Sequence, residues 1–75
     1  MNLSDKQFLR DLGDRVRELR TAKGLTQEEL GKKCYLHRTF IGSVERGERN
    51  LSILNLRVLA KGLRVKAKDL LPVDD

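Results

Sequence analysis

The stretch Leu25-Thr26-Gln27-Glu28-Glu29-Leu30-Gly31-Lys32-Lys33-Cys34-Tyr35-Leu36-His37-Arg38-Thr39-Phe40-Ile41-Gly42-Ser43-Val44-Glu45-Arg46-Gly47 decides the fold. Thr26 and Glu29 stand three apart, the spacing at which each side chain satisfies an orphan backbone donor in a helix's first turn. A short helix over 27–33 follows from this box, with Leu30 facing the core and Gly31 letting another helix approach closely. Residues 33–36 break the pattern. Arg38–Arg46 then reads as a second short helix, with Ile41 and Val44 inward. Gly47 ends it, because glycine takes the left-handed conformation that closes a helix at little cost.

The flanks are helical as well. Leu9, Leu12, Val16 and Leu19 recur at spacings of three, four and three, and Phe8 widens the stripe. Ser4 with Gln7 resembles a capping box at the start of this first helix, and Lys23-Gly24 should stop it. Gly13 inside it costs about 1 kcal/mol relative to alanine, so the helix depends on packing. Downstream, Ser52 caps a helix running through about Gly62, with Ile53, Leu56, Leu59, Ala60 and Leu63 inward. Residues 67–71 read as a last turn or short helix before Pro72. No run alternates with the period of a strand. The expectation is an all-α, compact five-helix domain, one domain over 1–75 with its central helix pair at about 26–47.

Composition narrows the function. Seventy-five residues hold one core, and 39% apolar with 36% charged residues fits a globular chain. No apolar run approaches the roughly 20 residues of a membrane span, and the amino terminus lacks a signal pattern. One cysteine (Cys34) and one histidine (His37) give no internal disulfide and no metal site, so a reducing cytoplasm is expected. With no acid–base constellation and no phosphate loop, neither an enzyme nor a cofactor is expected. The net charge of +5 is unevenly placed: residues 1–36 carry +2, residues 37–68 carry +6 and residues 69–75 carry −3. A basic second half points to a polyanion, since clustered cations gain by releasing counterions from phosphate.

Two short helices, a turn of about four residues, a glycine stop and a basic tail have the shape of a helix-turn-helix. Leu25–Leu30, Leu36–Ile41 and Val44–Gly47 together resemble the phage-repressor-like (XRE) family, whose fold is lambda-repressor-like. Arg38-Thr39-Phe40-Ile41 with Glu45-Arg46-Gly47-Glu48-Arg49-Asn50-Leu51-Ser52 looks most like the controller proteins of restriction–modification systems. The resemblance implies a sequence-specific transcriptional regulator that binds double-stranded DNA, regulates its own gene, and blocks or recruits RNA polymerase. It also implies that Arg20 pairs with Glu45 to fix the second helix of the motif to the scaffold. Two residues depart from the pattern: Tyr35 and Arg64 stand where glycine is usual. At Tyr35, either the turn geometry differs or ring packing offsets a strain of about 1 kcal/mol.

The chemistry of the residues suggests roles within this frame. Arg38, Thr39 and Ser43 are the candidate base readers, Arg38 because its fork donates to guanine O6 and N7 together. Gln27 at a helix start, His37, Arg46, Arg49, Asn50 and Ser52 suit the DNA backbone or accessory contacts. Arg46 or Arg49 could instead enter the minor groove. Phe40 offers apolar contact to a thymine methyl or sugar, or packs into the core. Leu51, Leu54 and Val58 lie off the core stripe of their helix, which suggests a homodimer on a pseudo-palindromic operator with half-sites about 10 bp apart. No small-molecule effector is indicated. A basic protein–protein adaptor and a non-specific nucleic-acid module are the alternatives.

Overall fold

A computed structural model describes residues 3–72. Four helices follow in order: α1 (Leu3–Ala22), α2 (Gln27–Cys34), α3 (Arg38–Glu45) and α4 (Ile53–Leu63). The expected fifth helix is a single 3-10 turn, Ala67–Asp69, where Asp69 accepts the Lys66 backbone N–H at 3.0 Å. The described residues contain no strand.

Side chains start the helices. At α2, Thr26 Oγ1 accepts from the Glu29 N–H at 3.0 Å, and Glu29 Oε1 accepts from the Thr26 N–H at 2.9 Å. Those bonds from Thr26 hold the Glu29 carboxyl below its usual range. Ser52 Oγ caps α4 by accepting from the Asn55 N–H at 3.0 Å. Ser4 behaves differently from the expectation. It lies inside α1, which already includes Leu3, and Gln7 instead donates to Asp11 one turn on, at 2.9 Å.

All four helices end the same way. A residue with positive φ (Gly24, Tyr35, Gly47 or Arg64) turns the chain, and the next N–H reaches back five residues. These bonds are Leu25 to Arg20, Leu36 to Gly31, Glu48 to Ser43 and Val65 to Ala60, all between 2.9 and 3.1 Å. This is the Schellman arrangement, which satisfies carbonyls the helix leaves free. Both readings of Tyr35 are corrected: its φ of 56° keeps the glycine-like geometry, and its side chain is 96% exposed. The bond at Leu36 and the packing of the Leu36 side chain against the core, rather than the ring, hold this strained turn.

Val16, Leu30, Ile41, Leu59, Leu63 and Leu70 are fully buried and join the helices into one core. Ile53, read as inward, is 81% exposed at the first turn of α4; the helix presents Leu56, Leu59, Ala60 and Leu63 instead. Cys34 is buried, its thiol directed at the Val58 carbonyl at 3.6 Å, and burial pushes its pKa up. No helix among the described residues is long and apolar enough to cross a membrane.

Gly13 explains how α1 comes so close to α3. A Cβ at this position would collide with the carbonyl oxygens of Val44 and Glu45, backbone atoms that cannot swing aside. Helix propensity alone predicts that Gly13→Ala stabilises by about 1 kcal/mol. The contact predicts the reverse sign, a loss of about 1–3 kcal/mol from overpacking, read as a lower melting midpoint by circular dichroism.

Candidate nucleic-acid interface

The leading turn of α3 faces outward. His37 is its N-cap: the imidazole Nδ1 accepts from the Thr39 backbone N–H at 3.1 Å, and Thr39 Oγ1 lies 2.8 Å from the same nitrogen. His37, Arg38 and Thr39 are all exposed. Among the described residues Arg38 has neither a hydrogen bond nor an ion pair, so its guanidinium keeps all its donors. On the opposite side of the same helix Ile41 and Val44 are buried. The amphipathic pattern therefore leaves one polar, donor-rich turn free at the end where a helix enters a major groove.

Two arginines flank this turn. Arg49 lies over the Phe40 ring, 5.0 Å from its centroid, and its Nε donates to Ser43 Oγ at 3.1 Å. Arg46 follows α3 on the other side, near Gly42, and its Nε pairs with Glu48 at 3.1 Å. In both cases it is Nε that is engaged; Arg46 Nη1 lies back over Gly42, and the terminal amino groups of Arg49 make no hydrogen bond among the described residues. Asn50 is exposed beyond them, and Ser52 is exposed with its hydroxyl engaged as the cap of α4.

One expected base reader, Ser43, and one expected backbone contact, Gln27, take other positions. Ser43 is buried; its hydroxyl donates to the Phe40 carbonyl at 2.7 Å and accepts from Arg49, so it cannot reach a base. The Gln27 side chain is half-buried and turned inward, its amide donating to Glu45 at 3.2 Å, which leaves only the backbone of this helix start for phosphate. Phe40 is half-buried against the core with one face under Arg49, so its ring serves as a support.

Glu45 holds this assembly together. Its carboxylate is completely buried and accepts from Arg20 Nε at 2.6 Å, Arg20 Nη2 at 3.0 Å, Arg17 Nε at 3.2 Å and Gln27 Nε2 at 3.2 Å. Arg20 Nη1 also donates to the Leu25 carbonyl at 2.7 Å, at the entry to α2. One carboxylate thus ties α1, α2 and α3. Burial alone would raise the Glu45 pKa, but the bonds from Arg20, Gln27 and Arg17 outweigh it and hold the carboxyl below its usual range. Arg17 was not singled out in the sequence. Its signal was its position one turn before Arg20 on the same helix face.

The apolar face of α4 differs in part from the expectation. Leu54 is 62% exposed, whereas Leu51 and Val58 are half-buried against the core. Ile53 and Leu71 add exposed apolar surface, and a shallow groove between the first turns of α1 and α4 is lined by Phe8, Leu9, Leu51, Ile53, Leu56 and Leu71.

The helix-turn-helix family model HTH_3 matches residues 16–70. The chain is 47% identical over 60 residues to the control protein C.BamHI of Bacillus amyloliquefaciens, covering 79% of this chain and 74% of that protein. Its fold is similar to the crystal structure of the restriction–modification controller protein C.AhdI from Aeromonas hydrophila, with a TM-score of 0.82 and 48% identity over 84% of this chain and 96% of that one. It is also similar to the controller protein C.Esp1396I, solved as a tetramer in complex with its natural 35 base-pair operator. That match has a TM-score of 0.78 and 38% identity, over 84% of this chain and 82% of that one.

Glu45→Ala strands the largely covered Arg20 guanidinium beside an apolar core and removes a partner from the exposed Arg17. A loss of about 3 kcal/mol or more is expected in denaturant titration. The pH dependence has a defined sign. A carboxyl depressed in the folded state stabilises above its unfolded pKa of about 4.3, and that stabilisation is lost as pH falls through the folded value. The wild type should therefore lose stability below about pH 4 more steeply than Glu45→Gln, measured as melting midpoint against pH.

Proposed function

We propose that this chain, which belongs to the helix-turn-helix HTH_3 family and is similar to restriction–modification controller proteins, is a sequence-specific DNA-binding regulator of transcription. It acts as a homodimer on a pseudo-palindromic operator and controls a restriction–modification gene set, its own gene included. The observation that carries this reading is the leading turn of α3. Arg38 stands exposed with its donors unpaired and Thr39 stands exposed with its hydroxyl against the His37 cap, on a helix locked from behind by Glu45.

Each part has a physical role. Arg38 reads guanine through a bidentate pair, and Thr39 reads the neighbouring base. The terminal amino groups of Arg46 and Arg49 take phosphates or the adjoining minor groove, and Asn50 and the N–H groups at the starts of α2 and α4 take phosphates. Leu54, with Ile53, Leu51 and Leu71, forms the dimer face, and Val58 supports it from below. A two-fold axis there would set two α3 helices about 34 Å apart, one turn of the duplex. Regulation follows from occupancy, by blocking or recruiting RNA polymerase. The domain works without a cofactor or effector, in the cytoplasm at the nucleoid, and carries out no catalysis of its own.

Three measurements test this. Mobility shifts on the operator and on scrambled duplex at two salt concentrations should show specific binding at least 10³ tighter than non-specific binding. Arg38→Ala should cost about 1–3 kcal/mol and relax preference at one base pair per half-site, whereas Arg49→Ala should weaken all sequences and lower the salt slope by about 1. Leu54→Asp should shift the sedimenting species from dimer to monomer. An unchanged sedimentation coefficient places the dimer elsewhere.

A further inference from the structure

Thr39 carries more information than exposure alone suggests, because its hydroxyl is not free to rotate. The Thr39 backbone N–H donates to His37 Nδ1 at 3.1 Å, so Nδ1 holds a lone pair and the imidazole proton resides on Nε2. Thr39 Oγ1 sits 2.8 Å from that same nitrogen. Between a hydroxyl and a nitrogen that is already an acceptor, only the hydroxyl can donate. Its proton is therefore directed back at the cap, and the lone pairs of Oγ1 are left facing solvent on the exposed turn.

We propose that His37 fixes the Thr39 hydroxyl as a hydrogen-bond acceptor toward DNA, so that Thr39 selects an exocyclic amino group, adenine N6 or cytosine N4, at its base pair. In the major groove these two groups are the only donors; guanine N7 and O6, adenine N7 and thymine O4 all accept. Phosphate oxygens accept too, so the same lock turns Thr39 away from the backbone. His37 is a positioning residue in this scheme, acting through Thr39 without touching a base. The inference rests on the reading of α3 as the DNA-recognition helix and adds the polarity of one contact.

The test starts from sequences enriched by the full-length wild type from a random duplex pool. Thr39→Val, which keeps the shape and loses the hydroxyl, should relax preference at one base pair per half-site, and that pair should place adenine or cytosine amino on the contacted strand. Replacing the base by its analogue lacking the exocyclic amino group (purine for adenine, 2-pyrimidinone for cytosine) should weaken wild-type binding about fivefold and leave Thr39→Val unchanged. His37→Ala frees the hydroxyl to rotate. It should compress the preference for the amino-bearing base over its analogue towards onefold, whereas loss of the helix cap alone lowers affinity for both duplexes equally. Equal loss on removal of the amino group for wild type and Thr39→Val overturns the assignment. So does a Thr39→Val variant weakened alike on every sequence, or an unchanged base preference in His37→Ala. If the wild type enriches no sequence, the reading of α3 itself falls, and this assignment with it.

Discussion

A carboxylate removed from water is tolerated only when its charge and lone pairs are matched, and the placement of α3 depends on how Glu45 meets that demand. Four donor atoms from Arg17, Arg20 and Gln27 converge on its two oxygens. These donors come from α1 and α2, and Glu45 closes α3, so the bonds set the distance and rotation between the three helices at once. Apolar packing could hold them together, but it is non-directional and would permit sliding. Hydrogen bonds to a buried guanidinium fork permit much less. Rigidity at the far end of an eight-residue helix is what fixes where its first turn stands.

The same bonds account for which side chains are free. Gln27 is turned inward by Glu45, and Ser43 is taken up between the Phe40 carbonyl and Arg49. Polar residues that look alike in the sequence thus divide into those held within the fold and those left exposed, according to their partners. Arg49 occupies both roles: its Nε and its flat face are held by Ser43 and Phe40, and its outer amino groups are not. A guanidinium held in this way loses less side-chain freedom on binding an anion than a solvated one does.

Much of this was legible in the sequence, for a consistent reason. The Thr26–Glu29 box, the Ser52 cap, the stops at Gly24 and Gly47, and the inward stripe Leu56, Leu59, Leu63 are local patterns whose physics needs only a few neighbouring residues. The exposed Arg38–Thr39 turn followed from the same reasoning. What escaped depends on contacts distant in the chain. Gly13 appears as a weak point in a helix until the carbonyls of Val44 and Glu45 are brought against it. The burial of Ser43 needs Arg49 and Phe40 in place, and the exposure of Ile53 depends on how α4 is rotated about its axis. The Ser4–Gln7 pair shows the opposite error, a local signature inside a helix that already includes Leu3. At Tyr35 a local rule yields to tertiary structure: the backbone hydrogen bond and the packing of Leu36 impose a left-handed residue regardless of its side chain.

The central claim, that the exposed first turn of α3 on its Glu45 anchor is the surface that meets the duplex, is tested most directly by amide chemical-shift mapping during titration with operator DNA. The largest changes are expected at residues 37–40, with a second group at the starts of α2 and α4, while the amides of the exposed side of α1 around Asp14 and Glu18 stay in place. Large shifts along that side of α1 with residues 37–40 unmoved would contradict the account.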